Sequence, residues 1–289
     1  MPRALPTRAL ATALALGACR RPADTAPAPA SRDAAPARFE AALADGDRAY
    51  VLRGDPARLE AALRAYGLAA AQRPGDPAAE VRLARAEAFR GLAAKPPAAG
   101  REAWEASARA AERALRRQAP AWAEAIDRGE DPAAAAARVD AAGAEALYFL
   151  AQGAMRAAQA TGYAAVLAVK DSALAMMARA AELDERVDVA GPHRNLGAWR
   201  AVLPTAAGGG AAASRAHFDR ARALAADDQL ARVAEAETWA VLVQDERRFD
   251  ALLEGVLAFD LGRDPVRAPE NAIAKARAKE LLERKARLF

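Results

Sequence analysis

The segment Pro56-Ala57-Arg58-Leu59-Glu60-Ala61-Ala62-Leu63-Arg64-Ala65-Tyr66 puts Leu59, Leu63 and Tyr66 at intervals of four and three. That spacing brings three apolar side chains onto one face of an α-helix. Alanines fill the gaps, and alanine has the lowest helix cost of any residue. The pattern predicts a helix over Pro56–Gln72, stopped by the breaker Pro74-Gly75-Asp76-Pro77. Helical spacing then resumes with Val81, Leu83, Phe89 and Leu92. Upstream, Phe39, Leu43, Tyr50 and Leu52 lie on an earlier helix that Gly54-Asp55-Pro56 ends. A helix, a tight stop and a second helix make an antiparallel pair.

The same order continues downstream. Helices are predicted over residues 100–117, 119–128, 132–160, 171–183, 192–203, 214–225, 229–242, 247–259 and 271–288, with Ser214 and Asn271 as candidate N-caps. Three helix ends share a pattern around Leu183, Leu224 and Phe259, which are 41 and then 35 residues apart. Tetratricopeptide repeats have a period of about 34. The expected fold is therefore all-α, a degenerate tetratricopeptide-like helical-repeat array of stacked antiparallel pairs with a concave face.

Composition agrees. Of 289 residues 53% are apolar but only 5% aromatic, because alanine supplies much of the count, and no run alternates as a strand would. The net charge of +4 arises from 42 basic and 38 acidic residues mixed along the chain. No Lys/Arg cluster with interleaved aromatics presents itself, so nucleic acid is not an expected partner.

The N-terminus divides into three parts: Arg3 and Arg8, an apolar stretch over 9–18, and Leu16-Gly17-Ala18-Cys19. The apolar stretch is shorter than the roughly 20 residues of a membrane span and suits a signal peptide. Leu-Gly-Ala-Cys matches a lipobox, in which the cysteine thiol receives diacylglycerol; the competing reading is an ordinary secretory signal with a chance cysteine. Cys19 is the only cysteine, which excludes an intramolecular disulfide and a cysteine metal site. The expected organisation is a lipoprotein signal peptide over 1–18, a lipidated cysteine and Pro/Ala tether over 19–37, and one helical domain over 38–289. Arg20, where an inner-membrane retention signal prefers Asp, favours the outer membrane, with the body facing the periplasm.

Further blocks carry a family resemblance. They are Tyr148-Phe149-Leu150-Ala151, the helix end at Leu183, Gly191-Pro192-His193-Arg194-Asn195-Leu196-Gly197, the stop Leu203-Pro204, Ala216-His217-Phe218, Arg232-Val233-Ala234-Glu235 and Asn271-Ala272-Ile273-Ala274. In order and spacing, from about residue 144 onward, the chain resembles the T component of tripartite ATP-independent periplasmic (TRAP) transporters, a family of tetratricopeptide-like lipoproteins. The resemblance implies a homotrimer whose subunits each contain an apolar pore or groove. It also implies association with the TRAP periplasmic substrate-binding protein and the handing on of a small ligand, an apolar organic acid. The loop over 206–213 departs from the family as a floppy glycine connection, and residues 39–142 carry little that matches.

Within these blocks His193, Arg194, Asn195, Met155 and Asn271 are candidate ligand or partner contacts. The bland reading has His193 bonding a first turn or a neighbouring helix, Met155 filling core with Met176 and Met177, and Asn271 capping. Gly191, Pro192, Gly197 and Pro204 answer to backbone needs, and Gly153, Gly162 and Gly197 to close helix approach. Trp104, Trp122, Trp199 and Trp239 are expected to anchor packing. The basic residues of the last helix, among them Lys275, Arg277 and Lys285, suit the negative end of its dipole. His193 and His217 without paired acids make a weak metal site. No nucleophile–base pair or phosphate loop occurs, so neither enzyme activity nor a cofactor is expected. The alternative function is a repeat scaffold that binds proteins in the cell envelope, with a solvent-open polar groove instead of a channel.

Overall fold

Aspartate followed by proline starts helix after helix. Asp55, Asp76 and Asp131 each accept the N–H of the residue two positions on, at 2.8, 2.9 and 2.9 Å, while Pro56, Pro77 and Pro132 take the first helical position. The carboxylate satisfies an orphan donor, and proline gives up none that the helix needs. A computed structural model describes residues 34–289; Cys19, the leader and nearly all of the expected tether lie outside the described residues.

The helices are α1 (Ala34–Val51), α2 (Pro56–Gln72), α3 (Pro77–Ala93), α4 (Arg101–Gln118), α5 (Pro120–Asp127), the single turn α6 (Pro132–Ala135), α7 (Ala144–Thr161), α8 (Tyr163–Leu183), α9 (Gly191–Ala201), α10 (Ala211–Leu224), α11 (Gln229–Ala234), α12 (Glu246–Ala258) and α13 (Ala268–Glu283). No strand occurs among the described residues. Neighbours pack as pairs: α1 on α2, α3 on α4, α7 on α8, α9 on α10, with α11, α12 and α13 closing the series. The fold is the all-α helical-repeat array that the breakers predict.

Burial follows the repeat pattern in successive clusters. Phe39, Tyr66 and Phe89 centre the first, Trp122, Leu147, Met177 and Leu196 the second, and Phe249, Leu253 and Leu281 the third. Alanine sets the helix spacing. Ala110, Ala111 and Ala114 on α4 and Ala146 and Ala151 on α7 are buried where those two helices pack closely. A Cβ on Gly153 would lie 2.7 Å from the Trp104 carbonyl oxygen and 2.9 Å from the Ala108 nitrogen. The α7 backbone therefore rests directly on that of α4. Gly197 meets the Phe218 ring in the same way.

Several local expectations change. The helix predicted over 132–160 is broken by 3-10 turns at Ala136–Arg138 and Ala141–Gly143, where the extended Asp140 caps Ala142 and Arg179 from α8 donates twice to the Val139 carbonyl (2.8 and 3.2 Å). Helix α10 begins at Ala211 and not at Ser214, whose hydroxyl instead bonds the Gly197 carbonyl on α9 at 2.8 Å. Gly162 has nothing within 4 Å of a built Cβ; its φ of +138° makes the sharp junction between α7 and α8. Asn271 is no cap. Pro269 supplies the first turn, α13 starts at Ala268, and the Asn271 N–H already donates to the Arg267 carbonyl. The glycine loop after Pro204 is held: Gly209 and Gly210 donate to the carbonyls of Pro204 and Arg200, at 3.2 and 2.9 Å.

The array also meets itself. Arg53, just after α1, donates to both carboxylate oxygens of Glu270 on α13, at 2.8 and 2.5 Å, across 217 residues of sequence. Its guanidinium also reaches the Val266 carbonyl (2.6 Å) and lies over the Tyr50 and Phe89 rings. Both partners are almost wholly buried. This pair ties the first repeat to the last helix.

Candidate functional site

From α3 onward the first helix of each pair contributes to a common inner wall. Helices α3, α7, α9, α11 and α13, with the Pro97–Gly100 turn, line a solvent-open cavity of about 400 Å³. One part of its wall is apolar, with Phe89 and Leu92 from α3, Trp104 from α4, Phe149 from α7, Val233 from α11 and Ile273 from α13. The other part is polar, with Gln152 and Arg156 from α7, Arg194 and Asn195 from α9, Glu237, and Glu270 and Arg277 from α13. A largely apolar concavity with a few convergent polar groups is the usual form of a small-molecule site.

Most of those polar groups hold one another. Arg194 bridges Asp188 and Asp228, at 2.5 Å each, and Arg267 reaches the other Asp188 oxygen at 2.8 Å. The Tyr148 hydroxyl donates to Asp188 (2.8 Å) and accepts from Gln152 (2.8 Å). Asn195 reaches that hydroxyl and the Gly191 carbonyl, at 3.3 and 3.1 Å. Burial alone raises the carboxyl pKa of Asp188, but the charges of Arg194 and Arg267 outweigh it and hold the group at about 2. The network also stabilises a strained turn. Asp188 and Val189 have φ of +46° and +73°, costly for a β-branched residue.

A change of helix geometry borders the cavity. Helix α11 continues as a π-helix over Glu235–Ala240. Glu235 is buried and bonded to Arg222 and Arg248, while Glu237 lines the cavity and pairs with Arg277. π-Turns of this kind are frequent at functional sites.

Of the sequence candidates, Arg194 and Asn195 line the cavity; His193, Met155 and Asn271 do not. Met155 is buried in the central cluster, and Asn271 is buried with neither amide atom bonded. Gly191 lets the Tyr148 ring approach, with its hydroxyl 2.5 Å from a built Cβ, and Pro192 sits in the first turn of α9. The Pro204 carbonyl accepts from Ala207 and Gly209 as the chain turns after α9. Arg156, Gln152, Trp104, Glu237 and Glu270 line the cavity without having been singled out as contacts. Nothing in local spacing marks them, because they come from four different helices. Arg277 and Lys285 pair across helices with Glu237, Glu246 and Asp250 and do not simply answer the helix dipole.

His193 instead pairs with His217 on α10, Nδ1 to Nδ1 at 3.0 Å, with Glu185 at 3.6 Å from the other ring nitrogen. One ring must donate and the other accept, so a doubly protonated pair is disfavoured. Burial, and then the charges of His193 and Arg200, lower His217 to about 4, below the ordinary value of about 6.5. A histidine with a depressed folded pKa contributes stability above its unfolded pKa and loses it as pH falls from about 6.5 toward 4. Allowing for solvent screening of a half-buried ring, unfolding free energy is expected to drop by about 1 kcal/mol more in wild type than in His217→Asn over that window. Urea titrations at pH 7 and 4.5 check this; parallel losses in the two proteins would show that His217 is not the group responsible.

Among the described residues no His, Cys, Asp and Glu cluster is placed to hold a metal ion, and no helix is long and apolar enough to cross a membrane. Comparison with curated proteins finds no match. A family model described as TRAP transporter T-component matches residues 64–289. The match starts well before residue 144, so α3 to α6 belong to it although their alanine-rich sequence offers few recognisable blocks. The helical array, the cavity inside it and a match over most of the length agree: the chain belongs to the TRAP transporter T-component family.

Proposed function

We propose that this protein is a lipid-anchored, periplasm-facing accessory of a TRAP transporter that binds a small, largely apolar organic acid in the cavity and passes it to or from the periplasmic substrate-binding protein. The observation that carries the reading is the cavity itself: about 400 Å³, walled by Phe89, Leu92, Trp104, Phe149 and Ile273, with a polar cluster along one part of its wall. A partly enclosed, mainly apolar concavity with a few convergent polar groups suits a small molecule better than the open polar groove expected of a protein-binding scaffold.

Cys19 is the proposed anchor, with the outer membrane the favoured location. The lipid sets position and takes no part in ligand chemistry. A homotrimer is the proposed assembly.

Native mass spectrometry of protein purified from its own cells tests these points together. The expected species begins at a diacylglyceryl-modified Cys19, assembles as a trimer, retains a small molecule and co-purifies with a TRAP substrate-binding protein. An unmodified Cys19 behind an intact leader would remove the anchor. A ligand-free protein captured only with peptides or unrelated envelope proteins would favour the scaffold.

A further inference from the structure

The charges of the cavity wall do not all cancel. Arg194 holds Asp188 and Asp228, Arg277 holds Glu237 and Glu280, and Glu270 is held by Arg53. Arg156, on the C-terminal half of α7, is different. Among the described residues it forms no ion pair. Its Nε is buried with no hydrogen-bond partner, and its one contact is Nη1 to the Gln159 side-chain oxygen at 3.5 Å, the outer limit of a hydrogen bond. The carboxylate whose field acts on it most is Glu237, which is already engaged by Arg277.

An arginine in this situation is costly. A guanidinium cannot shed its charge under physiological conditions, so even partial burial without a partner is a standing penalty. Burial pulls the Arg156 pKa down from its usual value, as expected where nothing compensates the charge. The planar fork offers parallel N–H donors that match the two oxygens of a carboxylate. Around it, Phe149, Trp104, Leu92 and Val233 offer an apolar wall and no second free cation.

We infer that Arg156 is the anion anchor of the cavity, and that it selects a singly charged carboxylate carrying a short apolar body. The inference rests on the ligand-cavity reading and deepens it, naming the contact residue and the charge of the ligand. A dicarboxylate is rejected because its second charge would meet Glu237, Glu270 or apolar wall. A neutral alcohol of equal length gains only the apolar contacts.

Isothermal titration calorimetry of the folded protein with hexanoate, 1-hexanol and adipate tests it, on wild type, Arg156→Met and Arg156→Lys. Wild type is expected to bind hexanoate more tightly than either other probe. Arg156→Met is expected to weaken hexanoate at least roughly tenfold, the worth of a charge-assisted hydrogen bond, and to leave 1-hexanol unchanged. Arg156→Lys, which keeps the charge and loses the fork, is expected to fall between. Arg156→Met is also expected to melt no lower than wild type, because it removes an uncompensated charge; should it fail to fold, the lysine variant carries the comparison. Equal binding of hexanoate and 1-hexanol by wild type, unaltered hexanoate affinity in a folded variant, or a preference for adipate overturns the anchor and leaves the ligand cavity standing. If neither hexanoate nor 1-hexanol binds wild type, the cavity reading falls and the anchor with it.

Discussion

Arg53→Ala is expected to lower the unfolding free energy by about 3–5 kcal/mol, because it leaves the Glu270 carboxylate buried without the cation that hydrogen-bonds both its oxygens. Side-chain exposure is 5% at Arg53 and 6% at Glu270, so water cannot take over the lost role. The guanidinium also packs over Tyr50 and Phe89, and that contact goes with it. The double variant Arg53→Met with Glu270→Met is expected to recover most of the loss, since apolar side chains of similar length remove both charges together. Urea titration of the three proteins decides the matter. A double variant as unstable as Arg53→Ala would mean that packing, not the unpaired charge, sets the cost. The pair also joins the first repeat to α13, so ligand affinity is expected to fall in Arg53→Ala more than in the double variant.

Arg194→Leu is expected to cost at least about 3 kcal/mol at pH 7, since one guanidinium serves two carboxylates. Asp228 suffers doubly, because its other oxygen accepts from Leu230 as the N-cap of α11. Asp188 keeps Arg267, but the strained turn at Asp188 and Val189 loses part of what holds it. The pH dependence follows from Asp188. Its folded pKa of about 2 lies below the roughly 3.9 of an unfolded aspartate, so it contributes stability above about pH 4 that disappears as pH falls toward 2. The variant lacks the part of that contribution that comes from the Arg194 charge, while Arg267 and the Tyr148 hydroxyl still hold Asp188. Wild type and Arg194→Leu should therefore be furthest apart at neutral pH and converge below about pH 4. A constant gap across that range would show that lost packing, not charge, accounts for the effect.

Helix existence was open to reading because it depends on neighbours in sequence. Leu59, Leu63 and Tyr66 announce a helix by spacing alone, and the breakers at Gly54-Asp55-Pro56 and Pro74-Gly75-Asp76-Pro77 contain the Asp-Pro starts of the next helices. The 132–160 region shows the limit. Its alanines favour helix throughout, yet the chain breaks at Val139 and Asp140, where Asp140 caps a new turn and Arg179, forty positions away, takes the Val139 carbonyl. The same limit applies to Ser214, whose hydroxyl had a local use as a cap and found a better acceptor on α9.

The site was legible only where a motif marked it. Arg194 and Asn195 stand in a recognisable block and do line the cavity, but their neighbour His193 turns to His217. Arg156 stands among alanines with nothing in its own segment to set it apart, and many arginines of this chain look the same in sequence. By itself the sequence determined the helical class, the pairing into repeats and the family, all carried by periodicity and short ordered blocks. Which arginine of the cavity wall is left without an ion pair was decided by the tertiary structure alone. That depends on where Asp188, Asp228, Glu237 and Glu270 come to lie once α13 returns to the first repeat and Arg53 meets Glu270. Periodicity along one helix places a side chain on a face, but only the packing of distant helices decides which charges remain to receive a ligand.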